Sequence, residues 1–259
     1  MTGRAGVGAT LRHAGTVVLS VGVLIAAWAA LAVILDQRAL PTPLAIWQAL
    51  LGEGASGELF FHLGATLLRV ACAFVVAMAI GAPLGIWLGM QPGANRVIDP
   101  WLMLLLNMPA LVVIVLAYIW FGLNEAAAIG AVALNKIPNV VVTLREGARS
   151  LSRELDEMAA VYRFGFRRRL RHVVLPQLQP YLAAATRSGV ALIWKIVLVV
   201  ELLGRSNGVG FQIHLYFQLF DVATILAYTL AFVAVMMAVE YGVLQPLESR
   251  ARRWQQHRG

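Results

Sequence analysis

Runs of about twenty residues with almost no charge recur along this chain. They constrain its fold more than any other feature. A helix needs about 20 mostly apolar residues to cross the ~30 Å hydrocarbon core of a bilayer. Runs of that kind fall at 16–35, 62–90, 100–121, 124–144, 178–203 and 222–244. The composition agrees: 60 % of residues are hydrophobic and 13 % charged, against roughly 45–50 % and about 25 % in soluble domains. An ordinary soluble enzyme is excluded. The expected fold is all-α, a polytopic membrane protein with six transmembrane helices. The first run is too long for a signal-peptide core and is followed by Asp36, Gln37 and Arg38, so it reads as a retained span. The segment 40–51 is too short to span. Pro41 and Pro43 suit a helix start, Gly52 and Gly54 its end, and the interface is its expected place.

The net charge of +8 would suggest nucleic acid in a soluble chain. In a membrane protein it is a topology signal, because cytoplasmic loops carry the excess arginine and lysine. With the N-terminus inside, fifteen arginines fall in cytoplasmic segments, while only Arg38 and Arg205 fall outside. The chain is therefore read as multi-pass, with both termini on the cytoplasmic side of its membrane and no nucleic-acid partner. The expected organisation is a tail at 1–15, a membrane domain at 16–247 with its core at about 60–247, and a basic tail at 248–259. A polar stretch between Arg145 and Arg171 interrupts the spans on the cytoplasmic side.

Catalytic signatures are missing. Lys136 and Lys195 are both followed by Ile, so neither completes the Gly-x-x-x-x-Gly-Lys-Ser/Thr of a P-loop. If ATP drives this protein, another subunit supplies the ATPase. The five histidines lack close metal-ligand spacing, and no Gly-x-Ser-x-Gly elbow occurs. Cys72, the single cysteine, reads as a small buried residue.

The polar stretch carries more information. It reads LSRELDEMAAVYRFGFRRRLRHVVLPQLQPYL over 151–182. Ser152 suits a helix N-cap, and Glu154, Asp156 and Glu157 suit the positive end that follows. Leu155, Ala159 and Tyr162 fall on one face at helical spacing. Pro176 is expected to mark a break. A solvated basic loop is the alternative reading of the charge alone.

The spacing from Glu157 to Pro176 resembles the EAA loop of binding-protein-dependent ABC importer permeases. That pattern is Glu-Ala-Ala, three residues, Gly, nine residues, Ile-x-Leu-Pro. Glu157 and Ala159 fill the first and third places, Val173 stands for the Ile, and Leu175-Pro176 close it. Met158 replaces the first Ala, and Arg163 takes the glycine position while a glycine follows at Gly165. The usual glycine-dependent bend is therefore not assumed. Thr66-Leu-Leu-Arg69, Gly81-Ala-Pro-Leu-Gly85, Pro109, Trp120-Phe-Gly122, Glu201-Leu-Leu-Gly204 and Gly208-Val-Gly210 extend the likeness over about 40–247. Together they resemble the nitrate/sulfonate/taurine branch.

The resemblance implies a type I ABC importer permease fold. The loop 145–177 becomes an ATPase-coupling element that includes Glu157, Ala159, Ala160, Arg163, Gly165, Leu175 and Pro176. It also implies a partner ABC ATPase that binds ATP and Mg, an extracytoplasmic solute-binding protein, a second permease copy and the lipid bilayer. No cofactor is expected in this chain itself. The implied cargo is a small anion such as nitrate, a sulfonate or taurine. An ion-coupled secondary transporter and a non-transporting scaffold are the rival classes.

Polar groups within spans are costly and point to function or to buried pairing. Asn107, Asn135, Lys195 and Glu201 are the candidates for a translocation path. Lys195 lies nearer mid-span and could meet an anion. Glu201 lies near the outer end and could contact the binding protein, hold a loop or pair with a neighbouring helix. Arg69 either snorkels or pairs with an acid. Gly81, Gly85 and Gly89 recur every four residues and predict one face of close helix packing.

Overall fold

The computed structural model describes residues 19–20, 22–34 and 39–246 of the chain. Both tails, 1–15 and 248–259, lie outside the described residues, as does part of the expected first span at 16–35. Among the described residues all regular structure is helical. The chain divides into two compact units, residues 1–60 with 212–231 and residues 61–211 with 232–259.

Ten helices are numbered here along the described chain. They are α1 (Gly22–Ile34), α2 (Pro43–Ser56), α3 (Glu58–Met90), α4 (Pro92–Asn107), α5 (Ala110–Phe121), α6 (Glu125–Arg149), α7 (Arg153–Val161), α8 (Phe166–Gly204), α9 (Val209–Gln218) and α10 (Val222–Leu244). Four of them, α3, α6, α8 and α10, are long and apolar enough to cross a membrane, and the α4–α5 pair adds a fifth if it is one span. What is described of the expected first span is α1, which is shorter than a crossing.

In the first unit, α2 starts as its prolines require. Thr42 Oγ1 accepts the Ala45 N–H at 3.2 Å, capping a first turn that Pro43 pre-sets. The expected stop at Gly52 and Gly54 is corrected: both lie inside α2, and Gly57, at φ +84°, closes it. Glu53 accepts hydrogen bonds from Tyr216 Oη of α9 at 2.8 Å and Tyr228 Oη of α10 at 2.7 Å. Burial, with the carboxylate beside it, pushes the Tyr216 hydroxyl up to about 12, so it remains a donor at neutral pH.

In the second unit the core lies among α3, α5, α6 and α8. Val70 and Ala73, Ile114 and Tyr118, Ala128 and Val132, and Ile193 and Val197 are buried against one another there. The glycine stripe of α3 meets α6, as its spacing predicts. A Cβ on Gly81 would stand 2.8 Å from Val140 Cβ. On Gly85 it would stand 2.5 Å from the Val141 carbonyl oxygen, and on Gly89 2.5 Å from Ala148 Cβ. In lipid, where apolar burial drives little association, such close backbone approach provides the packing.

Two expectations about breaks are corrected. The run 100–121 is not one straight helix: α4 and α5 meet at an angle of 96°. Pro109 lacks an N–H and forces Met108 into extended backbone (φ −71°, ψ 128°), so the helix cannot pass through. Conversely, Pro176 breaks nothing. The helix runs from Phe166 to Gly204, widened by a π turn over Leu170–Val174. The Leu175 N–H donates back to the Leu170 carbonyl. That wider turn sits just before the proline, whose missing N–H it accommodates.

The stripe yields a test. Gly85→Ala forces a methyl group into backbone, so it should cost about 1–3 kcal/mol, as overpacking does, and lower the thermal midpoint in detergent. Gly64→Ala, where a Cβ meets nothing within 4 Å, should leave the midpoint unchanged. Equal midpoints for the two variants would contradict the packing role.

Candidate functional site

Two polar assemblies stand at opposite ends of the long helices of the second unit. One surrounds α7, and the other surrounds Arg69 of α3.

Helix α7 is short, so its geometry depends on its ends. Ser152 Oγ accepts the Leu155 N–H at 3.3 Å, and Glu154 and Asp156 occupy the first turn. At the other end the Phe164 N–H reaches the Ala159 carbonyl at 2.9 Å, and the Arg163 N–H reaches the Ala160 carbonyl at 3.0 Å. This pair is a Schellman closure, which requires a left-handed residue and usually has glycine there. Arg163 fills that place with φ +49°. The bend that could not be assumed from an arginine is therefore present, with a Cβ carried in the left-handed region.

Side chains then tie α7 to the helix that follows. Arg169 Nη2 donates to Asp156 Oδ2 at 2.6 Å, and Gln177 Oε1 accepts the Ser152 N–H at 2.9 Å. Ala159 is the one buried residue of α7. Tyr162 is exposed, so the expected apolar face of Leu155, Ala159 and Tyr162 narrows to its first two members. The outward side is mixed. Glu157 is exposed and paired with Arg153 at 3.0 Å, and Met158, Ala160, Val161 and Tyr162 are also exposed. Arg163 and Gly165 lie exposed at the bend, with Gly165 preceding α8, while Leu175 and Pro176 sit beyond the π turn. Beside this region, Arg145 Nη1 of α6 donates to Asn95 Oδ1 of α4 at 3.0 Å and pairs with Asp99.

At the other end, the guanidinium of Arg69 uses all five of its N–H donors. Nε and Nη2 grip Glu125 of α6 at 2.9 and 2.6 Å. Nη1 reaches Glu201 Oε1 of α8 at 2.7 Å and the Asn207 carbonyl at 2.9 Å. Nη2 also bonds Asn207 Oδ1. Glu201 is 0 % exposed, and its second oxygen accepts from Thr66 Oγ1 and the Gly210 N–H, each at 2.9 Å. Thr66 Oγ1 in turn accepts the Val209 N–H at 2.8 Å, and His62 Nδ1 accepts the Gly208 N–H at 2.9 Å. Gly208 has φ +109°, and a Cβ there would collide with the Glu201 carboxylate. The Gly208-Val-Gly210 motif is thus the backbone cradle of Glu201. Arg205 closes the assembly with bonds to Glu125 Oε1 at 2.7 Å and the Leu123 carbonyl at 2.9 Å.

Glu201, named among the path candidates, takes the loop-holding and helix-pairing roles that were also expected of it. Glu201 anchors a loop and presents no surface to a solute. The remaining three stay separate from the cluster. Lys195 and Asn107 are exposed, with Asn107 Nδ2 donating to the Met103 carbonyl at 2.7 Å, and Asn135 is half-buried. Sequence reasoning did not pick out Glu125, Arg205 or Asn207 as functional. The available signal was Arg69, an ionisable group in a span that needed a partner. Among the described residues no group of His, Cys, Asp and Glu could hold a metal ion.

Comparison with known proteins gives a consistent result. The model of the "Binding-protein-dependent transport system inner membrane component" family matches residues 81–243. A putative aliphatic sulfonates transport permease protein of Bacillus subtilis (strain 168) is 32 % identical over 180 residues, covering 70 % of this chain. The match covers 65 % of that relative, just under two-thirds of its length. The taurine transport system permease protein of Escherichia coli (strain K12) is 27 % identical, covering 92 % of this chain and 90 % of that one. Among solved structures, an amino acid ABC transporter crystallised with histidines aligns at TM-score 0.60 and 19 % identity, over 76 % of this chain and 95 % of that one. It shows the shared fold.

Removing one partner from the buried pair gives the sharpest test of the Arg69 assembly. Arg69→Met leaves Glu201 buried without its cation, so it should cost about 3–5 kcal/mol. Adding Glu201→Gln should recover part of that loss, read as the thermal midpoint in detergent. If the double variant is no more stable than Arg69→Met alone, the pair is not the source of the stability.

Proposed function

Because this chain belongs to the family of binding-protein-dependent transport system inner membrane components, we propose that it is the membrane subunit of an ATP-driven importer and that α7 is where the ATPase moves it. The observation that carries this reading is the construction of α7. Both its ends are closed, Asp156 and Ser152 fasten it to α8, and its outward side offers Glu157 and Arg153 beside Met158, Val161 and Tyr162. A free loop would absorb a push. A capped helix bonded into a long helix transmits it.

In this reading ATP and Mg are bound by the partner ATPase, and the chain itself performs no covalent chemistry. The loaded solute-binding protein docks outside, where the Arg69 assembly fixes the loop around Gly208. Closure of the ATPases displaces α7 and the helices attached to it, which opens a path between two permease copies. Both termini are cytoplasmic. The coupling residues are Glu157, Ala159, Ala160, Arg163, Gly165, Leu175 and Pro176, with Arg163 supplying the bend. Lys195, exposed in a membrane helix, together with Asn107 and Asn135, belongs to the path. The cargo is a small anion: the relatives are named for sulfonates and taurine, and a cation in the span suits a negative solute.

Glu157→Arg should leave the permease folded but uncouple it, so that ATP hydrolysis no longer drives uptake in proteoliposomes. Normal coupling in that variant would remove α7 from the mechanism. Lys195→Met should reduce uptake while the complex still assembles. Uptake at the unaltered rate would take Lys195 out of the path. Uptake that continues after the ATPase is stripped away would replace the whole reading with a secondary transporter.

A further inference from the structure

A groove of about 470 Å³ runs between α3 and the first turns of α8. Ala82, Ile86, Trp87, Leu170, Val174 and Leu182 line it, and Arg169 stands at its edge. The lining is apolar apart from that one guanidinium, whose Nε is buried and has no hydrogen-bond partner among the described residues. Trp87 is about half exposed. An amphipathic ring of this kind is enriched where hydrocarbon gives way to headgroups.

The chain segment that forms one wall of the groove is one-sided in charge. From Met158 to Val200 the chain holds no Asp or Glu, yet it carries Arg163, Arg167, Arg168, Arg169 and Arg171 within nine residues. Some of these are engaged. Arg168 lies 4.5 Å from the centre of the Phe164 ring, and Arg169 binds Asp156. Arg167 and Arg171 are exposed and have no ion-pair partner among the described residues. Four residues apart, they project from one side of the helix start. An apolar slot with Arg169 at its edge, and with Arg167 and Arg171 exposed on the same turns of the helix that forms one wall, is complementary to a molecule that carries an acyl chain below a phosphate.

We propose that this groove is a binding site for an anionic phospholipid of the cytoplasmic leaflet. The acyl chain lies along Ala82, Ile86, Val174 and Leu182, and the headgroup phosphate meets Arg167 and Arg171 at the rim. The site adjoins the helix to which α7 is fastened, so its occupant holds the start of α8 at the membrane surface. This inference rests on the proposed orientation, which puts the α7 end on the cytoplasmic side, and on the groove and its charge; it does not depend on the cargo.

The test uses the full chain in detergent, stripped of lipid and then offered phosphatidylglycerol or phosphatidylcholine vesicles, with bound lipid counted by native mass spectrometry. The wild type should retain phosphatidylglycerol in preference. The double variant Arg167→Gln/Arg171→Gln should lose about 25-fold in that preference, each arginine near an anionic surface being worth about fivefold. Ala82→Trp, which fills the slot, should reduce retention of both lipids. Arg149→Gln, at a cation already paired with Glu146, should change nothing, and all variants are compared at matched thermal midpoints. Three results would overturn the proposal. One is equal retention of the two lipids by the wild type, and another is an unchanged preference in the double variant. The third is an Ala82→Trp chain that keeps its lipid but loses its self-association, which would assign the groove to a second copy.

Discussion

A guanidinium cannot be left bare in a low-dielectric interior, and that requirement organises the second unit. Arg69 is about nineteen-twentieths buried, and it cannot shed its charge by deprotonation as a buried lysine can. Its five donors therefore have to find acceptors, and they find them on α6, on α8 and on the loop after α8. The bidentate grip on Glu125 fixes direction as well as distance. Once Glu201 is committed to Arg69, its second oxygen organises Thr66 and Gly210, and the loop can close over it only because position 208 has no side chain. One charge thus determines where three helices and a loop end relative to one another.

The opposite end is built differently. Arg145 also crosses between helices, binding Asn95 and Asp99 of α4. Beyond it, however, the contacts are paired charges at partly exposed positions, such as Arg169–Asp156 and Arg153–Glu157. Exposed pairs contribute roughly 0–1 kcal/mol each, so they orient α7 without locking it. The contrast is suited to a lever. Along α3, Arg69 lies about 30 Å from Met90 at the helical rise, and the glycine stripe joins α3 to α6 over about the last 12 Å of that distance. In the proposed coupling, closely packed helices are what would carry a displacement applied at the α7 end.

Most of the fold was legible because its signals are local. Apolar run length marked the four long helices, and the stripe of Gly81, Gly85 and Gly89 named its own packing face. The Ser152 cap and the spacing to Pro176 located α7 without reference to any contact. The failures have a common cause. Whether a proline interrupts a helix depends on what surrounds it. Pro109 bends the chain because Met108 becomes extended, whereas Pro176 follows a π turn that absorbs its missing donor. Sequence alone treats the two residues alike.

Partnership was the least legible feature. Arg69 declared a need for an acid, but Glu125 and Glu201 lie 56 and 132 positions away in the chain. Only the fold selects them from the other carboxylates. Arg163 shows the reverse limit. A glycine at that place would have announced the left-handed turn, whereas the arginine hides it, and yet the backbone bonds from Phe164 and Arg163 close the helix in the same way. The geometry of the bend is therefore set by the closure that α7 needs before the chain enters α8, and the residue there carries the strain. A substitution that removed that strain would leave the bend in place, which separates the shape of the loop from the identity of the residue that makes it.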